Sequence, residues 1–177
     1  MRAGGTIILA ALWAAAGAAR AEVLGADATG FQVRNTVEIA APPAKVYDAL
    51  GSIDEWWDSQ HTWSGKASNL RLKLKAGACF CEKLEDGGGV QHMTVVYAAP
   101  GKALRLSGAL GPLQTEGAAG TLSLVLSAKD GGTELVQTYT VGGYTKGGWT
   151  SWAPEVDGVL RQQMMRLKSY VETGKPR

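Results

Sequence analysis

One apolar stripe near the C-terminal end constrains this chain more than any other feature. Val156, Val159, Leu160, Met164, Leu167 and Val171 recur at i, i+3/i+4 spacing, the pattern of a long amphipathic helix. Pro154 suits its first turn, and Glu155 and Asp157 favour its N-terminal end electrostatically. Lys168 sits near its end, and Gly174 followed by Pro176 stops it. Such a helix must bury its stripe, so the partner has to be found in the preceding sequence.

That partner is a sheet. Phe31 to Ile39 alternates apolar and polar residues, as a half-buried strand does. Ala41-Pro42-Pro43 stops it, and Val46, Tyr47 and Leu50 then share one face of a short helix ended by Gly51. Ser52 to Glu55 has the capping-box pattern and opens a second short helix through Trp56-Trp57. From Leu70 the period is two: Leu70, Leu72 and Leu74 alternate with Arg71, Lys73 and Lys75. Further strands follow at Cys79–Leu84, Val90–Tyr97, Leu104–Leu106, Thr121–Leu126 and Glu134–Val141. Asp86-Gly87-Gly88-Gly89, Pro100-Gly101 and Asp130-Gly131-Gly132 turn the chain between them. The glycine-rich stretch 108–120 carries no clear period. The expected fold class is α+β: a curved antiparallel sheet of about seven strands around one long helix, with two short helices after the first strand.

Composition agrees with one domain. Of 177 residues, 45% are apolar and 19% charged, which suffices for a single real core. Lys+Arg number 18 and Asp+Glu 16, with no basic run, which argues against a nucleic-acid partner. Residues 1–21 read as a secretory signal: Arg2, an apolar segment Thr6–Ala18, and an A-x-A site at Ala19-Arg20-Ala21. The apolar segment falls short of the roughly 20 residues a bilayer span needs. The expectation is cleavage after Ala21 and a periplasmic or secreted protein with no stable membrane insertion. Residues 22–30 would form a flexible arm, 31–174 the domain and 175–177 a tail.

The element order resembles the START-like superfamily, also called SRPBCC, with its helix-grip fold. Three landmarks carry the resemblance, which spans Phe31 to Tyr170. They are Val37 to Tyr47 (VEIAAPPAKVY), the Trp56-Trp57 pair, and the terminal helix Val159–Val171. The polyketide cyclase/dehydrase and chaperone-ATPase-activator branch is the most similar. The resemblance implies a cavity between sheet and helix that holds an apolar small molecule.

Several residues could serve such a cavity. Trp56, Trp57, Trp63, Trp149 and Trp152 flank its expected entrance, either as an aromatic rim or as packing at helix ends. Asn35 and Gln114 are candidate polar anchors inside, and Cys81 a candidate contact. Glu82 and His92 could pair as an acid–base couple, or as a structural pair. They face each other if the intervening loop carries one extra residue; with a two-residue loop Lys83 meets His92 instead. His61 follows the second short helix, near the cavity mouth. Cys79 and Cys81 are the only cysteines. On a regular strand their Cα atoms lie about 6.6 Å apart, too far for a disulfide unless a bulge intervenes. Buried thiols are therefore expected, with a disulfide and a metal site as the alternatives. Joined with His61 and His92 they match no standard zinc spacing, so no metal is assigned. No nucleotide, serine-hydrolase or zinc-protease motif occurs, and no cofactor is expected.

The leading expectation is an exported module that binds an apolar or aromatic small molecule. The rivals are a cyclase, hydratase or lyase using Glu82, His92 and His61, and a ligand-free periplasmic adaptor with a filled interior.

Overall fold

The computed structural model describes residues 20–177. Its eight strands, β1 (Arg20–Ala26), β2 (Gly30–Ile39), β3 (Leu70–Leu72), β4 (Cys79–Lys83), β5 (Gly89–Ala99), β6 (Ala103–Ser107), β7 (Gly117–Lys129) and β8 (Gly132–Tyr144), form one antiparallel sheet in the order β1-β2-β8-β7-β6-β5-β4-β3, and three α-helices accompany it. Strand β2 (Gly30–Ile39) buries Phe31, Val33, Asn35, Val37 and Ile39, the inward phase of its alternation. It pairs with β8 (Gly132–Tyr144) from Gly30↔Gly142 to Ile39↔Thr133. β8 in turn forms a long hairpin with β7 (Gly117–Lys129). Asp130 and Gly131 close that hairpin at φ 44° and 81°. Two successive positive φ values match the right-handed twist of the strands they join.

The short helices are α1 (Pro43–Gly51) and α2 (Ile53–Trp56), and α3 (Trp152–Thr173) is the long one. The inner faces of sheet and α3 meet through Leu160, Met164, Leu167 and Val171, all buried. The C-terminal half of α3 is fastened to the end of β2. Ala40 N–H donates to Glu172 Oε1 at 2.8 Å, and Lys168 Nζ donates to the Glu38 carbonyl at 2.6 Å. Gly174 ends the helix at φ 76°, its N–H donating to the Tyr170 carbonyl at 2.8 Å.

Strand β1 corrects two expectations at once. It raises the strand count from about seven to eight, and it makes Glu22–Ala26 a paired edge strand instead of an aperiodic arm. Its side chains carry no alternation because an edge strand facing solvent needs none; backbone pairing to β2 holds it. The signal expected over residues 1–21 lies outside the described residues except for Arg20 and Ala21.

Three local expectations are also corrected. Ser52 makes no side-chain cap; the Glu55 N–H donates to the Ser52 carbonyl at 2.9 Å instead. Gly108–Gly120 is not formless: Gly111–Thr115 is a 3-10 turn, and β7 already begins at Gly117. Cys79 and Cys81 are a disulfide, not thiols, with Cα atoms 5.3 Å apart. The pairing of β4 with β5 is irregular beside them. Phe80 pairs with Met93 but Cys81 pairs with Gln91, so His92 is an extra residue bulged out of β5. Both cysteines lie on the half-buried outer face, while Phe80 and Glu82 turn inward.

Candidate functional site

The bulge builds the site. In a regular strand neighbouring side chains take opposite faces, yet His92 and Met93 are both buried. The extra residue lets His92 share the inner face with Glu82, although Glu82 itself is registered opposite Val90. Neither loop length expected from sequence applies, because Lys83 pairs with Gly89 across a longer loop. His92 Nε2 lies 3.0 Å from Glu82 Oε2.

Glu82 has no exposed side-chain surface, and three partners hold it. Trp63 N–H donates to Oε2 at 3.1 Å, Ser64 N–H donates to Oε1 at 2.5 Å, and His92 completes the set. Burial alone would raise this carboxyl, but its hydrogen bonds with Ser64, Trp63 and His92 together hold it below the usual carboxylate value. Burial also pushes the His92 imidazole below its ordinary value, against the opposing pull of Glu82. The stable state is therefore a carboxylate accepting a hydrogen bond from a neutral imidazole. A carboxylate only accepts, so the His92 proton sits on Nε2 and Nδ1 carries the lone pair.

A cavity of about 380 Å³ opens in front of this pair, between β4, β5 and the N-terminal part of α3. One wall is aromatic: Trp57, Phe80 and Trp63. The Trp57 and Phe80 rings meet edge to face at 5.6 Å, and Phe80 lies 4.9 Å from the His92 ring. The opposite wall is Trp152, Val156, Val159 and Leu160 of α3. Leu110 and Leu113, at the Gly111–Thr115 turn, close a third side. Trp63 is 51% exposed, so it marks the mouth. The polar lining groups are few: Gln60, His61, Thr62, His92 and Glu155.

His61 arrives on a loop clamped from two sides. Asp58 N–H donates to Gln163 Oε1 at 2.8 Å, and Trp57 Nε1–H donates to the His61 carbonyl at 2.9 Å. Gln163 Nε2 lies 3.1 Å from His61 Nδ1, and Glu82 holds the far end of the loop through Trp63 and Ser64. Gln163 was missed in the sequence. Its signal is a lone polar residue in phase with the α3 stripe, three positions after Leu160 and four before Leu167. Phe80, Leu110 and Leu113 were missed too, because only the folded sheet brings them to one cavity.

The sequence-derived candidates therefore divide. Trp57, Trp63, Trp152, His61 and His92 line the cavity, with Glu82 directly behind His92. Trp56, Trp149, Asn35, Cys81 and Gln114 do not line it. Trp56 is buried with its Nε1–H on the Ala49 carbonyl, facing a small void of about 30 Å³ under α3. Trp149 is fully buried against Phe31 and donates to the Gly143 carbonyl. Asn35 is buried but turns to Asp157, donating at 3.2 Å. Cys81 is tied in the disulfide on the outer face. Gln114 is exposed and donates to the Gln91 carbonyl. Val156 and Val159, expected as core, are cavity wall instead. Among the described residues, no group of three or more His, Cys, Asp or Glu converges in a metal-binding arrangement.

A family model described as polyketide cyclase / dehydrase and lipid transport matches residues 30–172. Solved structures share the fold at low identity. CalU16 from Micromonospora echinospora superposes with TM-score 0.59 at 14% identity, covering 89% of this chain and 88% of its own. The Aha1 dimer from Colwellia psychrerythraea gives TM-score 0.55 at 18% identity, over 81% and 98% of the two chains. DynU16, a protein of the dynemicin biosynthetic locus, gives 0.57 at 20% identity, over 82% of this chain and 48% of its own. No curated protein matches in sequence.

Proposed function

We propose, since the chain belongs to the polyketide cyclase / dehydrase and lipid transport family, that its cavity binds an apolar or aromatic small molecule after export. The observation that carries the reading is the cavity of about 380 Å³, walled by Trp57, Trp63, Phe80 and the leucines and valines around them. That size and lining suit a small flat ligand. A ligand-free adaptor expects a filled interior, and the cavity runs against it. Among the described residues, no helix is long and apolar enough to cross a membrane.

Native mass spectrometry of protein purified from unfractionated cells of its own source tests both parts. The expected result is a chain beginning at Glu22, carrying an organic mass that leaves on denaturation. A chain that keeps residues 1–21 overturns export. A bare chain that also fails to take up naphthalene overturns the binding reading.

A second reading rests on the Glu82–His92 pair. A neutral imidazole, oriented by a carboxylate and facing an apolar cavity, is equipped to take a proton from a bound substrate. In that reading the protein is a cavity enzyme of the cyclase, hydratase or lyase type, and His92 is its general base. Metabolite mixtures incubated with the protein should then show a consumed mass, and His92→Phe should abolish the consumption. Consumption that persists in the variant excludes His92 as the base.

A further inference from the structure

The two cavity histidines are not equivalent, and their hydrogen-bond partners determine how they differ. For His92, the acceptor-only Glu82 carboxylate puts the ring proton on Nε2. Nδ1 is left as a bare acceptor, with no protein partner among the described residues, on a ring that lines the cavity. For His61, a backbone amide decides the matter at one remove. Of the two ends of the Gln163 amide only the carbonyl oxygen can accept the Asp58 N–H, so that oxygen is the atom facing Asp58. The NH2 of Gln163 is then the group facing His61 Nδ1 at 3.1 Å, and a donor there requires Nδ1 to be unprotonated. The His61 proton therefore sits on Nε2, which also has no protein partner among the described residues. Gln163 is itself buried, which keeps this relay out of water.

We infer that the cavity presents one fixed acceptor, His92 Nδ1, and one fixed donor, His61 Nε2–H, and so selects flat apolar molecules that carry both a hydroxyl and a carbonyl. The inference rests on the binding reading above and names the ligand class for that same cavity. The walls reward apolar area without discrimination; among the polar lining groups, the two histidines are the ones whose rings are held by side-chain partners. A ligand hydroxyl meets the His92 lone pair, and a ligand carbonyl meets the His61 N–H. A purely apolar ligand leaves both ring nitrogens dry and unmatched, which costs affinity.

Four probes separate this inference from the reading beneath it: naphthalene, β-naphthol, methyl β-naphthyl ketone, and that ketone bearing a hydroxyl on the far ring. Binding is followed by tryptophan fluorescence at pH 7.5. Each matched group should tighten binding about fivefold, so the hydroxy-ketone binds best. His92→Phe should erase the gain from the hydroxyl, and His61→Phe the gain from the carbonyl, while naphthalene still binds. Equal affinities across the four, or a gain from only one group, overturn the paired arrangement and leave the cavity reading intact. Failure of all four to bind overturns the cavity reading with it. If a variant does not fold, ring-nitrogen NMR of the wild type decides instead. Both histidines should show a protonated Nε2 and a bare Nδ1; a protonated Nδ1 on either overturns the inference.

Discussion

At the scale of single residues, Glu82 is where opposing forces meet. Burial should neutralise it, yet two backbone amides and His92 keep it ionised. Replacing it with Leu would leave the part-buried Trp63 and Ser64 amides without their acceptor. We expect Glu82→Leu to cost roughly 3 kcal/mol in urea unfolding, because each buried orphan donor costs about 1–3. The pH dependence has a definite sign. His92 in the folded protein lies below 6.5, so acidification protonates the unfolded chain first, and stability falls as pH drops through that value. Glu82 in the folded protein lies below 4.5, so its contribution persists above that value and is lost as pH falls further. The groups around the imidazole are Glu82 on β4, with His61 and Glu155 lining the same cavity. Melting temperature should therefore decline steadily on acidification from pH 6.5, and His92→Phe should flatten the first part of that decline. A wild type equally stable at pH 7.5 and 5.5 would contradict the neutral-imidazole assignment.

At the scale of elements, the bulge in β5 is the device that aims His92, and the structure guards it on two sides. Gly108, at the end of β6, lies so close that a Cβ there would sit 2.7 Å from the His92 carbonyl oxygen and 2.9 Å from Met93 Cα. It also holds φ 150°, a conformation side chains rarely adopt. Gly108→Ala should lower stability by about 1–3 kcal/mol and weaken probe binding, since the bulge must move to admit a methyl group. Tyr139 secures the neighbouring turn: its hydroxyl donates to the Gly108 carbonyl and accepts from the Leu110 N–H, both at 3.2 Å. On the other side, the Cys79–Cys81 disulfide spans the β4 residue that packs on His92. Its loop is very short, so reduction should cost no more than roughly 2 kcal/mol in unfolding. A larger loss would mean that the bulge depends on the disulfide. Gln163 shows why the clamp on the loop bearing His61 escaped sequence reading. A glutamine in a helical stripe has no periodic signature of its own, and its two partners lie 105 and 102 residues away.

At the scale of the whole molecule, the period-two and period-3.6 patterns were enough to expect an antiparallel sheet packed around one long helix. Those periods are local properties, legible along a few consecutive residues. The alternation of β2, the turn at Asp130-Gly131 and the stripe of α3 are each read in that way. Strand β1 was not legible, because an edge strand held by backbone pairing leaves no pattern in its side chains. Nor could tryptophan be sorted by type alone. Trp57, Trp63 and Trp152 line the cavity, while Trp56 and Trp149 found carbonyl partners inside the packed interior. The sequence by itself determined the three helices, the strands from β2 to β8 and their order, since side-chain periodicity already selects helix or strand. Only the tertiary structure decided that His92 turns inward, that Cys79 meets Cys81, and which partners hold each histidine ring. Those outcomes depend on register and on partners remote in the chain, which no local pattern encodes.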